Sequence, residues 1–257
     1  MSDARIELRV EDRIARLTIR RAEKLNALDD AMVDALFDAC RAIERSDARV
    51  AILTGEGGKS FCAGGDIEAW SRLDAHAFSR RWLRDGHDAF DALARLTVPL
   101  IAVLNGHALG GGLELAACAD LRIAEAHVKI GLPEAGLGII PGWSGTQRAS
   151  RRFGAGLVRR MALFGEVFSA EEALALGLVD RVVATGEGAA AAQDAAARVL
   201  QRSPRATELT KMLINAAEGE ESERVVEALA GAVAASSADL TEGLAAYRQK
   251  RPARFGQ

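Results

Sequence analysis

Apolar and polar residues alternate over positions 6–10 and again over 14–19, a period of two that predicts two strands around Glu11-Asp12-Arg13. From residue 29 to 43 the period changes. Apolar side chains fall at 32, 33, 36, 39, 40 and 43, the spacing of one helical face. Residues 50–54 form a short apolar run closed by Gly55, Gly57 and Gly58, which reads as a buried strand. Residues 60–65 read as a loop, with Asp66 placed to cap a helix starting at Ile67. Residues 74–95 read as helical, and 99–104 as another buried strand. A glycine-rich turn follows and opens a helix over 113–119, then come short strands at 121–124 and 128–130. The last strand signal is residues 179–183. Strands alternating with helices predict an α/β fold built of βαβ-like units.

The pattern breaks at Gly186-Glu187-Gly188. Beyond it the chain is rich in alanine and reads as helical, punctuated by Ser203-Pro204 and Gly219. Two segments are therefore expected: a core over residues 1–185 and a helical segment over 186–257. No fixed-period repeat is visible.

At 257 residues the chain is long enough for a sizeable core. Its 49% hydrophobic and 27% charged content is that of a soluble globular protein, and its formal net charge of −3 gives no reason to expect nucleic acid or an anionic membrane. The arginine pairs 20–21, 80–81, 151–152 and 159–160 read as solvated faces, and aromatic interleaving for RNA is lacking. Cys40, Cys62 and Cys118 are odd in number and lack CxxC spacing, so reduced thiols in the cytoplasm are expected. The four histidines are scattered, no metal-ligand cluster is seen, and the N-terminus has no signal-peptide core.

Asn105-Gly-His-Ala-Leu-Gly-Gly-Gly-Leu-Glu114 carries the strongest chemical signal. Three consecutive glycines let the backbone approach a ligand closely, and a helix starting there presents free N–H groups to negative charge. Glu114 follows among Leu113, Leu115 and Ala116, which implies burial and a raised pKa. Glu134 follows Pro133, a residue suited to a first helical position. Read locally, Glu134 is either a catalytic acid or a first-turn acid favoured by the helix dipole. No GxxxxGK[ST] or GxGxxG pattern supports a nucleotide fold.

NGHALGGGLELA and GLPEAGLGIIPGWSGTQR (131–148) together resemble the enoyl-CoA hydratase/isomerase, or crotonase, superfamily. KSFCAGGDIEAW (59–70), RRAEKLNAL (20–28), FSAEEALALGLVDRVV (168–183) and AAYRQKRPARF (245–255) are similar to further family segments, in order along nearly the whole chain.

The resemblance implies a spiral of ββα units with a C-terminal helical trimerisation region, assembled as a trimer or a dimer of trimers. It implies that backbone N–H groups of Gly65 and Gly111 hold a thioester oxygen, and that Glu114 and Glu134 handle water and the α-proton in hydration of a trans-2-enoyl-CoA. It implies no cofactor, coenzyme A being part of the substrate. Lys24, Leu25, Lys59, Ala63, Ile67, Tyr247 and Lys250 match CoA-contacting positions, although Lys59 and Lys250 read equally well as surface lysines. Trp143 and Ser144 stand where many hydratases have small residues, and Trp143, placed with Gly142 in an acyl pocket, would add bulk there. Trp70, Phe78, Trp82 and Phe90 read as pocket lining or helix core, with core the default. Asp66 reads as a cap and His107 as structural. An isomerase, a specialised dehydratase or lyase, and a non-catalytic RNA-binding homologue are the alternatives.

Overall fold

The computed structural model describes residues 4–255; the outermost positions of both expected segments lie outside them. The chain divides into two compact units, Met1–Lys211 and Met212–Gln257.

The first unit is built on a six-stranded sheet in the order β1-β2-β3-β5-β7-β10. Strands β1 (Ile6–Glu11) and β2 (Ile14–Ile19) form the expected antiparallel pair. From β2 the sheet runs parallel through β3 (Val50–Gly55), β5 (Leu100–Leu104), β7 (Leu121–Glu125) and β10 (Arg181–Val183). Parallel strands covered on both faces should be continuously apolar. β5 is LIAVL, and all five residues are buried.

A second, four-stranded sheet was not expected from the residue pattern. It consists of β4 (Ser60–Cys62), β6 (His107–Leu109), β8 (Lys129–Gly131) and β9 (Val167–Ser169). β4, β6 and β8 are parallel, and β9 is antiparallel to β8. The strand expected at 128–130 is its β8, but the other three are also three residues long and carry no period-two signature. Residues 60–65, read as a loop, are thus half strand.

Helices cover both faces. α1 (Asp30–Glu44) is capped by Asp29, whose carboxylate accepts from Met32 N at 3.1 Å. The expected helix at Ile67 is the single turn α2 (Ile67–Trp70), and Asp66 caps it by accepting from Glu68 N at 2.9 Å. Residues 75–94 are helical but not uniform. A short α3 (Ala75–Ala77) passes through a π-helical turn, Phe78–Trp82, into α4 (Leu83–Ala94), which packs on α1. α5 (Gly111–Ala116) is shorter than predicted. α6 (Arg148–Phe153), α7 (Ala155–Phe164) and α8 (Ala170–Ala175) follow, the last with a capping box between Ser169 and Glu172.

α9 (Gly188–Leu200) opens the helical region at the predicted break and lays Ala192, Ala195 and Ala196 against Ile52, Ile101, Val103 and Ile123 of the large sheet. Residues 186–211 therefore pack with the first unit, because small side chains let this helix lie close on the sheet. α10 (Pro204–Ala217) follows, and Lys211, near its middle, bonds Asp120 at 2.7 Å and Val98 O at 2.9 Å. The second unit contains α11 (Ser222–Ala235) and α12 (Ala238–Gln249), followed by a tail tied to α12 where Arg251 pairs with Glu242 at 2.6 Å.

Candidate active site

Two parallel strands of the small sheet deliver two glycine loops to the same place. β4 leads to Gly64-Gly65 and β6 leads to Gly110-Gly111. The loops touch: a Cβ on Gly111 would lie 3.0 Å from Gly64 Cα, and one on Gly64, where φ is +97°, would lie 2.9 Å from Gly111 N. Only glycine meets both the close approach and the positive φ. Gly65 is held by a bridge to Leu28, in which Leu28 N donates to Gly64 O at 2.8 Å and Asp66 N to Leu28 O at 2.7 Å. That ladder leaves Gly65 N–H unused. Gly111 is the first residue of α5, whose N–H has no intrahelical acceptor. Among the described residues neither N–H has a protein partner.

The first loop is braced from behind. The Arg21 guanidinium bonds Asp66 at 2.7 Å, lies 3.5 Å from Asp29, and donates to Ala27 O at 3.0 Å. Burial opposes ionisation of Asp66, but the Arg21 and Glu68 hydrogen bonds hold its carboxyl below the usual range. Arg21 is therefore not on a solvated face. It ties the caps of α1 and α2 to the loop between them.

Glu114 lies on α5 and is fully enclosed, yet it is not unpartnered. Oε1 accepts from Trp143 N at 2.7 Å and Gly145 N at 2.6 Å. Ser144, between them, has φ +78°, a conformation rare for a side-chain-bearing residue. That twist aims two nearby N–H groups at one oxygen, the geometry of an anion-binding nest. Arg148 N holds the turn by donating to Ser144 O at 2.9 Å. Even so, burial first, and the Glu134 charge second, push Glu114 up to about 8.

Glu134 opens a 3₁₀ turn, Glu134–Leu137. Pro133 sits one position earlier than its sequence reading, as the cap of that turn. The Glu134 carboxyl points inward, against the space a Gly110 Cβ would fill, 3.1 Å from Oε1. Among the described residues, both of its oxygens are buried and without a protein hydrogen bond, and burial pushes it up to about 7. A first-turn acid held by the dipole alone would face solvent.

Both carboxyls and both glycines line one cleft. Its walls are apolar: Ile67, Trp70, Phe78, Trp82, Leu83, Leu137, Ile139, Ile140 and Trp143. Three of the four aromatic residues read as core by default, Trp70, Phe78 and Trp82, line this cleft, whereas Phe90 is fully buried behind it. The chain has three tryptophans, and all three converge here. Among the described residues, no three His, Cys, Asp or Glu converge as metal ligands would.

Across the chain, a family model described as Enoyl-CoA hydratase/isomerase matches residues 9–257. The chain belongs to the enoyl-CoA hydratase/isomerase family. It is 37% identical over 258 residues to a crotonyl-CoA hydratase of Syntrophomonas wolfei, covering 99% of each chain. It is 39% identical over 209 residues to a short-chain-enoyl-CoA hydratase of Clostridium acetobutylicum, covering 81% of this chain and 80% of that one. Among solved structures, Pseudomonas aeruginosa DspI superposes with a TM-score of 0.83 at 33% identity, over 99% of this chain and 98% of that one. The α/β architecture with its two sheets and C-terminal helices is the crotonase fold expected from the motifs.

The remaining positions named from the family resemblance divide between the two units. Ala63, Ile67, Gly142 and Trp143 line it. Lys24 is paired with Glu68 at 3.0 Å, and Leu25, half-exposed at φ +56°, accepts from Ala63 N through its carbonyl at 3.1 Å. Lys59 is exposed on the turn before β4. Tyr247 and Lys250 belong to the second unit, where Tyr247 is exposed and Lys250 closes α12 in a left-handed conformation. His107 is structural, as expected: Nδ1 accepts from Lys129 N at 3.1 Å in the small sheet. All three cysteines are free and buried. No helix among the described residues is long and apolar enough to cross a membrane.

Gly145 and Arg21 carry no site role in the sequence reading, and Ser144 enters it only as a departure beside Trp143. The signal available for Gly145 was the Gly-Trp-Ser-Gly string, in which two glycines flank the Trp-Ser pair.

Proposed function

We propose that this chain is an enoyl-CoA hydratase that adds water syn across the 2,3 double bond of a trans-2-enoyl-CoA, reversibly, to give a 3-hydroxyacyl-CoA. The observation that carries the reading is the convergence of two buried, pKa-raised carboxyls with two unused backbone N–H groups on one apolar cleft. The thioester oxygen accepts from Gly65 N–H and Gly111 N–H, which stabilise the negative charge that develops as the enolate forms. Each such donor is worth roughly 3 kcal/mol in the transition state. Glu114 takes a proton from water as its oxygen bonds to C3. Glu134 gives a proton to C2 as the enolate collapses. Dehydration runs the same steps backward, with Glu134 as base and Glu114 as acid.

The pair suits this exchange because carboxyls raised to about 8 and about 7 can each give or take a proton near neutral pH.

Coenzyme A is part of the substrate, and the reaction needs no metal or redox cofactor. Lys24, Leu25, Lys59, Ala63 and Ile67 are proposed to contact it, with Tyr247 and Lys250 reaching CoA from a neighbouring subunit. Exposed Leu163, Phe164 and Val167 support a self-associating face and assembly as a trimer or dimer of trimers. The free thiols support a reducing, cytoplasmic setting.

The test is crotonyl-CoA hydration, followed by loss of the enoyl thioester absorbance. Glu114→Gln and Glu134→Gln should each slow it by orders of magnitude. Near-wild-type turnover by either variant would overturn the assignment.

A further inference from the structure

The Trp143 indole occupies a notch in helix α4. A Cβ on Gly86 would lie 2.0 Å from Trp143 Nε1 and 2.3 Å from Cε2, so no other residue at 86 is compatible with the ring where it sits. Glycine inside a helix is less stable than alanine, and here the indole fills the space it leaves. The ring is locked in place. Nε1 donates to Trp82 O at 3.1 Å, and the Trp82 and Phe90 rings lie at 5.0 and 5.1 Å. Its far edge faces the proposed oxyanion donors: a Cβ on Gly65 would lie 3.3 Å from Cη2, and one on Gly111 3.1 Å from Cε3. The backbone N–H of the same residue holds Glu114.

These contacts fix where an acyl chain can go. Under the hydratase reading, on which this inference rests, C1 sits at Gly65 and Gly111 and C3 sits at Glu114. The chain beyond C3 passes Glu114 and meets the residue that anchors it. We infer that Trp143, seated in the Gly86 notch, is the stop that limits this enzyme to short acyl groups, of about the length of a crotonyl group. With the indole in place, carbons beyond C4 find a locked ring where a smaller residue would leave room between α4 and the glycine loops. They must turn back toward the open mouth, where Ile67, Leu137 and Ile140 remain half or more exposed.

The experiment measures binding and turnover on the same series. Dissociation constants are measured for butanoyl-, hexanoyl-, octanoyl- and decanoyl-CoA, and kcat/KM for the matching trans-2-enoyl-CoAs, with wild type, Trp143→Ala and Trp143→Phe. A pocket that buries each added methylene gains roughly fourfold in affinity per methylene. The wild type should gain little or nothing beyond four carbons, with kcat/KM falling at least tenfold by decenoyl-CoA. Trp143→Ala should bind decanoyl-CoA at least tenfold tighter than butanoyl-CoA, with Trp143→Phe between the two. If Trp143→Ala does not fold, Trp143→Phe alone decides by whether the preference moves toward longer chains. A wild type that gains affinity steadily to ten carbons, or folded variants that keep the short preference, would overturn the inference. Length-selective binding without hydration of any enoyl-CoA would uphold the stop and reject the hydratase reading. Failure to bind any acyl-CoA would reject both.

Discussion

Gly145 lies so close to Glu114 that a Cβ on the glycine would sit 2.7 Å from the carboxylate Oε1, the same oxygen that its N–H holds at 2.6 Å. The glycine is thus both donor and spacer. Gly145→Ala should push the carboxyl out of its nest while leaving the α5 backbone in place. Crotonyl-CoA turnover should fall on the order of 10- to 100-fold, because small misplacements of a reacting group cost that much. A far-ultraviolet spectrum like that of wild type, measured beside the kinetics, shows that the loss is local. Full activity would mean that the nest does not position Glu114.

Under the proposed mechanism, the pH profile of hydration follows from the two raised carboxyls. With Glu114 raised to about 8 and Glu134 to about 7, the singly protonated pair is most populated between those values. Plotted against pH, kcat/KM should be bell-shaped, rising toward 7 and falling above 8. A crotonyl-CoA assay from pH 5 to 10 checks it. A flat profile across 6–9 would remove the pair from the mechanism.

Stability should move with pH in one direction. Both acids have folded pKa values above their ordinary value of 4.5, so between pH 4.5 and about 8 the folded state binds more protons than the unfolded one. Folding stability from these two groups is therefore greatest at or below pH 4.5 and is lost as pH rises through 7 and 8. Across pH 6 to 9 the melting temperature should fall. Glu114→Gln, which cannot ionise, should flatten that fall and melt higher than wild type at pH 9. A wild-type melting temperature that rises from pH 6 to 9, with no flattening in the variant, would contradict this.

Arg21 reaches the site through Asp66, the residue after Gly65. Arg21→Met keeps the aliphatic stem and removes the clamp on the first glycine loop. The expected result is a fall in kcat of about tenfold with little change in KM, because a displaced Gly65 N–H weakens charge stabilisation that develops only in the transition state. Arg21→Lys should recover part of it. A purely structural Arg21 would instead lower the melting temperature and leave kcat per folded enzyme unchanged.

The large sheet was readable from residue pattern because its strands are long enough to show a period or a continuous apolar run, as in β2 and β5. The small sheet was not. Ser60–Cys62 and His107–Leu109 are three residues each, and local pattern cannot separate a short strand from a loop. The site divides in the same way. Glu114 stands out as an acid among apolar neighbours, whereas Glu134, after Pro133, reads locally as either a catalytic acid or a first-turn acid. The nest around Glu114 does not stand out, because it depends on a positive φ at Ser144, which no propensity predicts. Nor does the pocket role of Trp70, Phe78 and Trp82: an aromatic residue on a helix has the same spacing whether it faces a core or a cleft. Gly86 was the overlooked clue, a helix-interior glycine whose reason lies 57 residues away at Trp143.

β4 and β6 are hydrogen-bonded neighbours, so the separation of the two glycine loops is governed by a main-chain spacing of about 4.8 Å that no side chain sets. The walls of the acyl cleft have a different origin, in side chains of residues 67–83 and 137–143. Under the proposed reading, electrophile activation and acyl selection are thus encoded in separate layers of the molecule, one in backbone and one in side chains. On that reading, substitutions that reshape the cleft can accumulate without disturbing the polarising pair, and the acyl group accepted by this scaffold is free to change while the chemistry at C1 stays fixed.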